Sequence, residues 1–290
     1  MAHYLAADFG GTVIKTRILD ENGSFCSPIR TFPSRSKENA DTLLSHFKAV
    51  LHDALDDAPD PQDVQFAGLA FPGPFDYEAG IPLMKDINKY DALYGVNLLE
   101  FFGEHFPQMT FQFANDADLF GLGEYRFCGG TRPERVMYLC IGTGLGSCFV
   151  ENGTLIKSRD DVPPRGWVFD TPFEGDIIDR LVSGSALRQM MNEIPSLRAL
   201  PDVKAAADRA LAGDPDAITL YHAFGGRLAR AAAPFLDRFS PGMLVIGGQI
   251  AKSFALFGDE IRQVCNDRQI ALHLCPDSAD FAMKGVLCLF

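Results

Sequence analysis

Along this chain, short apolar runs end at glycine or acidic turns and alternate with longer stretches whose apolar residues recur every three to four positions. Residues 4–7 and 13–19 read as strands. Asp8-Phe9-Gly10-Gly11-Thr12 turns the chain between them, and Asp20-Glu21-Asn22-Gly23 makes the next turn. The same order returns in the second half. Residues 136–141 and 147–150 flank Gly142-Thr143-Gly144-Leu145-Gly146, and Glu151-Asn152-Gly153 closes the unit. Gly10 and Gly142 stand nearly half the chain apart, the offset that two related domains in tandem would give.

Between the copies, Leu43, Leu44, Phe47, Val50, Leu51 and Leu55 fall at helical spacing, and residues 64–70 read as a strand. After the second copy, Leu220, Phe224, Leu228, Phe235 and Leu236 mark a longer helix. Residues 243–246 then form a short buried strand ending at Gly247-Gly248. Strands alternating with helices predict an α/β class. Residues 157–173, with Pro163, Pro164, Gly166 and Pro172, follow no period and read as an excursion.

Composition narrows the function classes. A chain of 290 residues, 47% of them hydrophobic, can bury a sizeable core, and its length fits roughly two domains of about 150 residues each. With 26 Lys and Arg against 38 Asp and Glu, the net charge of −12 repels a phosphate backbone, so nucleic acid is not expected as a partner. The start lacks a basic segment followed by a long apolar run, and no apolar stretch reaches the ~18 residues of a membrane span. A soluble, cytoplasmic protein is expected. The seven cysteines show no C-x-x-C spacing, which indicates neither a disulfide framework nor a thiolate zinc site.

The two glycine loops carry the chemistry. A Rossmann turn or a P-loop must open a helix, whose N-terminal amides and dipole hold the phosphate. Both loops here run into a second strand. Two readings remain: an ordinary hairpin turn, or a β-hairpin whose backbone N–H groups and threonine hydroxyl approach phosphate oxygens. The pairing of the loops, with Asp8 before one and a threonine in both, favours phosphate.

These motifs resemble the actin-like ATPase superfamily and, within it, the sugar kinases of the ROK family. Asp8-Phe9-Gly10-Gly11-Thr12-Val13-Ile14-Lys15 is similar to that family's D-x-G-G-T-x-x-K phosphate motif. Gly68 to Asp76, with Pro72-Gly73-Pro74, resembles its G-x-x-x-P-G-P-x-D segment. Asn115-Asp116-Ala117-Asp118, with Gly121 and Gly123-Glu124 behind it, resembles N-D-A-N-A-A-A-x-G-E. Residues 141–146 match the second phosphate loop, Ser183-Gly184-Ser185-Ala186-Leu187 the S-G-x-A-L segment, and Gly247-Gly248 the adenosine motif.

The resemblance implies two actin-like, ribonuclease H-like domains with a cleft between them. The smaller would span residues 1–115 plus 277–290 and the larger 116–276. It implies ATP-dependent phosphorylation of a glucose-like hexose, with magnesium, in a homodimer. Asp116 would be the general base and Asn115 a sugar ligand, although Asn-Asp before a helix also reads as an N-cap, and both roles can coexist. Pro72 and Gly73 would border the sugar. Asp8, Gly10, Gly11, Thr12, Gly142, Thr143 and Gly144 would hold the phosphates, with Asp8 meeting magnesium through water. Gly247 and Gly248 would lie along the adenosine. Lys15 reads equally as a phosphate contact or an exposed strand lysine.

The family's G-E-x-G-H segment and its cysteine-rich zinc motif are missing. No zinc site is expected. Counting back from Ser183-Gly184, Asp179 takes the place of the glutamate that ends the zinc motif and would lie at the sugar. Gly166-Trp167 stands where Gly-His is usual, making the sole tryptophan either a core residue or a stacking face for a sugar. Two other readings stay open: a sugar-responsive ROK regulator without a DNA-binding domain, and a non-catalytic sugar-binding relic. Polyphosphate is an alternative phosphoryl donor.

Overall fold

The computed structural model describes residues 2–290. In the first half, strands β1 (His3–Phe9), β2 (Val13–Asp20), β3 (Arg30–Pro33), β4 (Val64–Ala70) and β5 (Thr110–Ala114) form one sheet in the order β3-β2-β1-β4-β5. β1, β2 and β3 pair antiparallel, whereas β1, β4 and β5 run parallel. In the second half, β6 (Arg135–Ile141), β7 (Leu145–Glu151), β8 (Thr154–Leu155), β9 (Met243–Gly247) and β10 (Ala271–Leu274) repeat the plan in the order β8-β7-β6-β9-β10. Again the first three strands are antiparallel and the last three parallel. The loop-type repeat in the sequence is thus a repeat of sheet topology.

Helices follow the periodicity. α1 (Ala40–Leu55) starts where the Asn39 side chain accepts the Thr42 N–H, and it buries Leu43, Phe47, Val50 and Leu51. α2 (Leu98–His105) and α3 (Asp116–Phe127) complete the first half. The second half adds α4 (Ile178–Leu181), α5 (Gly184–Glu193), α6 (Val203–Leu211), α7 (Pro215–Phe239) and α8 (Asp259–Asp267), then α9 (Ser278–Gly285) near the C-terminus. α7 opens with Asp214 as N-cap and Pro215 at its first position. Its apolar face joins β6, β7 and β9 in one core. The excursion at 157–173 carries only a 3₁₀ turn at Pro164–Gly166 and the first arm, Pro172–Phe173, of a short hairpin. No described helix is long and apolar enough to cross a membrane.

Two compact units result: the chain up to Gly129 together with Asp280–Phe290, and Gly130–Ala279. The division therefore falls after α3, whereas the sequence reading put it before, at 115/116. Side-chain alternation explains the difference. On β1, Leu5, Ala7 and Phe9 join the α1 core, whereas Ala6 packs with Ala70, Ala114, Leu119 of α3 and Val286 on the opposite face. Leu119 thus fixes α3 to the first sheet.

Close backbone approach seals this packing. A Cβ on Gly123 would stand 1.9 Å from the Phe281 carbonyl oxygen, and one on Gly285 would stand 2.0 Å from that of Leu119. α3 and α9 can cross at this distance only through glycine. Gly123→Ala should therefore cost about 1–3 kcal/mol or more in urea unfolding, as overpacking does. Gly103→Ala, in α2 with nothing within 4 Å of a new Cβ, should be neutral or stabilising by up to about 1 kcal/mol.

Candidate active site

In the first unit the pleat decides which residues meet. Asp8 shares the β1 face of Ala6, so it points to the side where α3 lies, just where β1 ends. Lys15 stands directly opposite Asp8 in the antiparallel register. Asp116, exposed, opens α3 immediately after β5. Asp8 is half-buried, and its carboxyl is pushed up to about 6, first by burial and then by the negative charge of Asp116. The ammonium groups of Lys15 and Lys89 oppose that shift.

Lys89 is the member of this group that sequence reasoning missed. It lies in a turn-rich segment without a glycine signature or period. Burial pushes its ammonium below the usual lysine range, while the charges of Asp116 and Asp8 push it back up.

The first glycine loop is held by its carbonyls. The hydroxyls of Ser34 and Ser36 both donate to the Gly11 oxygen at 2.7 Å, and the Tyr90 hydroxyl donates to the Gly10 oxygen at 2.8 Å. Thr12 projects exposed beyond them.

The sugar-side expectations fall on one connected group. The Asn115 oxygen caps α3 by accepting the Ala117 N–H at 3.0 Å. Its amide nitrogen donates to the Tyr77 hydroxyl at 3.4 Å, and that hydroxyl donates to the Phe71 oxygen at 2.9 Å. Tyr77 therefore ties Asn115 to the residue before Pro72-Gly73, where the Gly73-Pro74 peptide is cis. The cap reading thus holds for Asn115. Asp116 sits one residue further, and its carboxylate also accepts the Ala117 N–H, at 2.9 Å.

In the second unit, Gly142-Thr143-Gly144 joins β6 to β7 as a hairpin, with Thr143 and Gly144 exposed. The start of α5 braces it. The Gly184 N–H donates to the Gly142 oxygen at 2.8 Å, and the Ser185 N–H and hydroxyl both donate to the Thr143 oxygen. A Cβ on Gly184 would stand 2.4 Å from the Gly142 oxygen, so the S-G-x-A-L segment serves the loop by close approach. Gly247 ends β9, and Gly248, at φ +93°, abuts the backbone of Ile141 just before the loop.

Asp179 lies with this loop. Its carboxylate accepts the Leu145 N–H at 2.7 Å, and a Cβ on Gly144 would stand 3.1 Å from the same oxygen. The sequence reading had placed it at the sugar. Trp167 is half-buried, with its ring 5.6 Å from that of Phe169 and the Arg165 guanidinium 5.1 Å from its centroid. Among the described residues, no group of three or more His, Cys, Asp or Glu is arranged to hold a metal ion.

Asp8, Pro72, Asn115 and Asp116 in the first unit, and the Gly142 loop and Gly247 in the second, stand at the carboxyl ends of parallel strands, where open α/β sheets bind ligands. A glucokinase of Thermotoga maritima is 25% identical over 284 residues, covering 89% of this chain and 86% of the relative. The structure is similar to that of a ROK family glucokinase from Streptomyces griseus in complex with glucose and AMPPNP, with a TM-score of 0.79 at 19% identity over 99% of both chains. It is also similar to a ROK family transcriptional regulator, a homolog of the E. coli MLC protein, with a TM-score of 0.81 at 16% identity over 98% of this chain and 77% of that one. The ROK family profile matches residues 4–273, nearly the whole chain, and the protein belongs to the ROK family.

Proposed function

We propose that the protein is an ATP-dependent hexose kinase acting on a glucose-like sugar. The observation that carries this reading is the Asp116 carboxylate, exposed at the start of α3, with its charge bearing on Asp8 beside the first glycine loop. A sugar hydroxyl is a poor nucleophile at neutral pH and must lose its proton as it attacks. Asp116 takes that proton while the hydroxyl oxygen bonds to the terminal phosphorus of ATP. The bond to the bridging oxygen breaks, and ADP leaves with its electron pair.

Asn115, held by Tyr77, orients a sugar hydroxyl, and the backbone of Pro72-Gly73 borders the ring. Trp167 stacks on the sugar, in place of the polar pair that the family usually carries. The Gly10-Gly11-Thr12 and Gly142-Thr143-Gly144 loops take the phosphates, with Lys15 beside Asp8, and Gly247-Gly248 the adenosine. The likeness to the T. maritima glucokinase supports the sugar class, and the glucose and AMPPNP held by the S. griseus neighbour support the donor.

The hard oxygen donor of Asp8 suits magnesium. A half-buried carboxyl whose charge is opposed by a second carboxylate gains from a divalent cation. Asp8 would hold magnesium, and the ion would supply neutralisation of phosphate charge. The enzyme works in the cytoplasm as a homodimer, a reading that rests on the family resemblance.

The direct test is ADP release across a panel of hexoses, amino sugars and N-acetyl sugars, with a no-sugar control and a polyphosphate arm. Sugar-dependent ADP release is expected. Sugar binding without turnover on either donor would instead favour the regulator or relic reading, which the likeness to a ROK regulator motivates.

Asp116→Asn keeps the shape but removes the proton acceptor. Turnover should fall by roughly 10²–10⁴-fold with little change in sugar affinity. Near-normal turnover would return Asp116 to a helix-start role. Asp179→Ala leaves the Leu145 N–H without its acceptor, an unmade bond that costs about 1–3 kcal/mol. It should raise the KM for ATP more than that for sugar, and the opposite pattern would put Asp179 at the sugar.

The raised Asp8 carboxyl predicts a pH dependence. Its folded value, about 6, exceeds the ordinary 3.8, so the native state holds the proton more tightly. That contribution is complete below about pH 4 and is lost as the pH rises through 6. Without magnesium, wild type and Asp8→Asn should be similarly stable near pH 4, and Asp8→Asn should be the more stable by up to about 3 kcal/mol near pH 7. Urea unfolding across that range checks the sign. Magnesium should stabilise wild type and not the variant.

A further inference from the structure

Lys89 is delivered to the first phosphate loop by a segment built to hold it still. Between the short strand Ile81–Pro82 and the 3₁₀ turn Asp91–Leu93, the backbone takes positive φ at Asp86, Asn88 and Tyr90. Asp and Asn visit this conformation readily, whereas Tyr90 takes it at a cost that its burial and hydrogen bonds offset. The Asp91 carboxylate accepts the Asn88 N–H at 2.9 Å and the Ile87 N–H at 3.3 Å. Tyr90, the residue after Lys89, is a fully buried peg. Its ring packs on Phe47 and Phe71, its N–H donates to the Ser36 oxygen at 2.7 Å, and its hydroxyl holds the Gly10 oxygen.

From this anchor the Lys89 side chain runs directly over Gly11. A Cβ on Gly11 would stand 2.9 Å from its Cε and 3.2 Å from its Cδ. The glycine thus leaves room for the lysine stem. The ammonium lies in the field of both Asp8 and Asp116, in a place where burial works against its charge. The two carboxylates offset part of the cost of burying this cation, and an incoming polyanion would give it a further partner.

We propose that Lys89 is a catalytic residue of the phosphoryl transfer, its ammonium contacting the oxygens of the terminal phosphoryl group of the donor above Gly11. The inference rests on the kinase reading and assigns one of its parts. The sugar oxygen gains phosphorus, ADP leaves with the electron pair of the broken bond, and Asp116 takes the hydroxyl proton. Lys89 keeps its own proton throughout and stabilises the charge spread over the equatorial oxygens.

The test compares wild type with Lys89→Met, Lys89→Arg and Lys89→Ala. Lys89→Met should lower kcat by roughly 10²–10³-fold, the usual effect of removing one transition-state donor, with sugar affinity within about threefold. Lys89→Arg should recover part of that loss, and methylammonium should partly rescue Lys89→Ala, which a purely structural lysine would not permit. The ligand-free melting temperature is measured beside kcat: a kcat loss in a variant that melts close to wild type supports the assignment, and a loss that tracks a lowered melting temperature and is not rescued by methylammonium overturns it.

An unchanged kcat, or a loss confined to the KM for sugar, overturns the assignment. If wild type releases no ADP with any sugar, the kinase reading fails separately. The lysine is then judged by calorimetric binding of ATP and of tripolyphosphate. Affinity at least tenfold weaker in Lys89→Met supports its phosphate contact, and equal affinity overturns it.

Discussion

Asp8 sits where burial and the negative charge of Asp116 both work against its own charge. That arrangement is unfavourable by itself, and much of the first unit serves to hold it. β1 and β5 flank β4 and run parallel to it, so their carboxyl ends deliver Asp8 and Asp116 to one edge. Gly123 and Gly285 let α9 clamp α3 backbone to backbone, which fixes the helix that Asp116 opens. Lys15, across the register, and Lys89, over the loop, bring the compensating charge. Repulsion of this kind is tolerated where a cation or a transferring group will enter.

The second unit uses the same strand order with a different emphasis. Its glycine loop is braced through carbonyls by Gly184 and Ser185 and through the Leu145 amide by Asp179, while Gly248 closes in behind Ile141. The first loop is braced through carbonyls too, but by the hydroxyls of Ser34, Ser36 and Tyr90. The carbonyl bonds satisfy the Gly10, Gly11, Gly142 and Thr143 oxygens, whereas the Asp179 bond occupies the Leu145 N–H. One topology therefore presents two braced glycine hairpins, the second with the Asp179 carboxylate beside it and the first with Asp8, Lys15 and Lys89.

The strands and helices with strong periods were legible. The segment at 64–70 is β4, the spacing from Leu43 to Leu55 is α1, and the long apolar series from Leu220 is α7. Both loops were legible as hairpins because each glycine run is followed by a strand pattern. The unit boundary was not, since the packing partners of α3 come from the far end of the chain. Tyr77 and Lys89 were equally hidden, because turn-rich segments leave no period and their importance arises from what they touch.

The sequence by itself determined the α/β class, the repeated loop type and the family, because these depend on local pattern and on motifs that each occupy a few consecutive residues. It also supplied the residue types for the chemistry: Asp8 before Gly-Gly-Thr, and Asn115-Asp116 at a helix start. Only the tertiary structure decided their partners. Asp179 matched a sugar position by counting yet bonds the Leu145 amide, and Lys89, far from Gly11 in the chain, crosses directly over it. Distances along a chain constrain its local conformation, whereas burial, register and charge proximity arise when remote segments share one core.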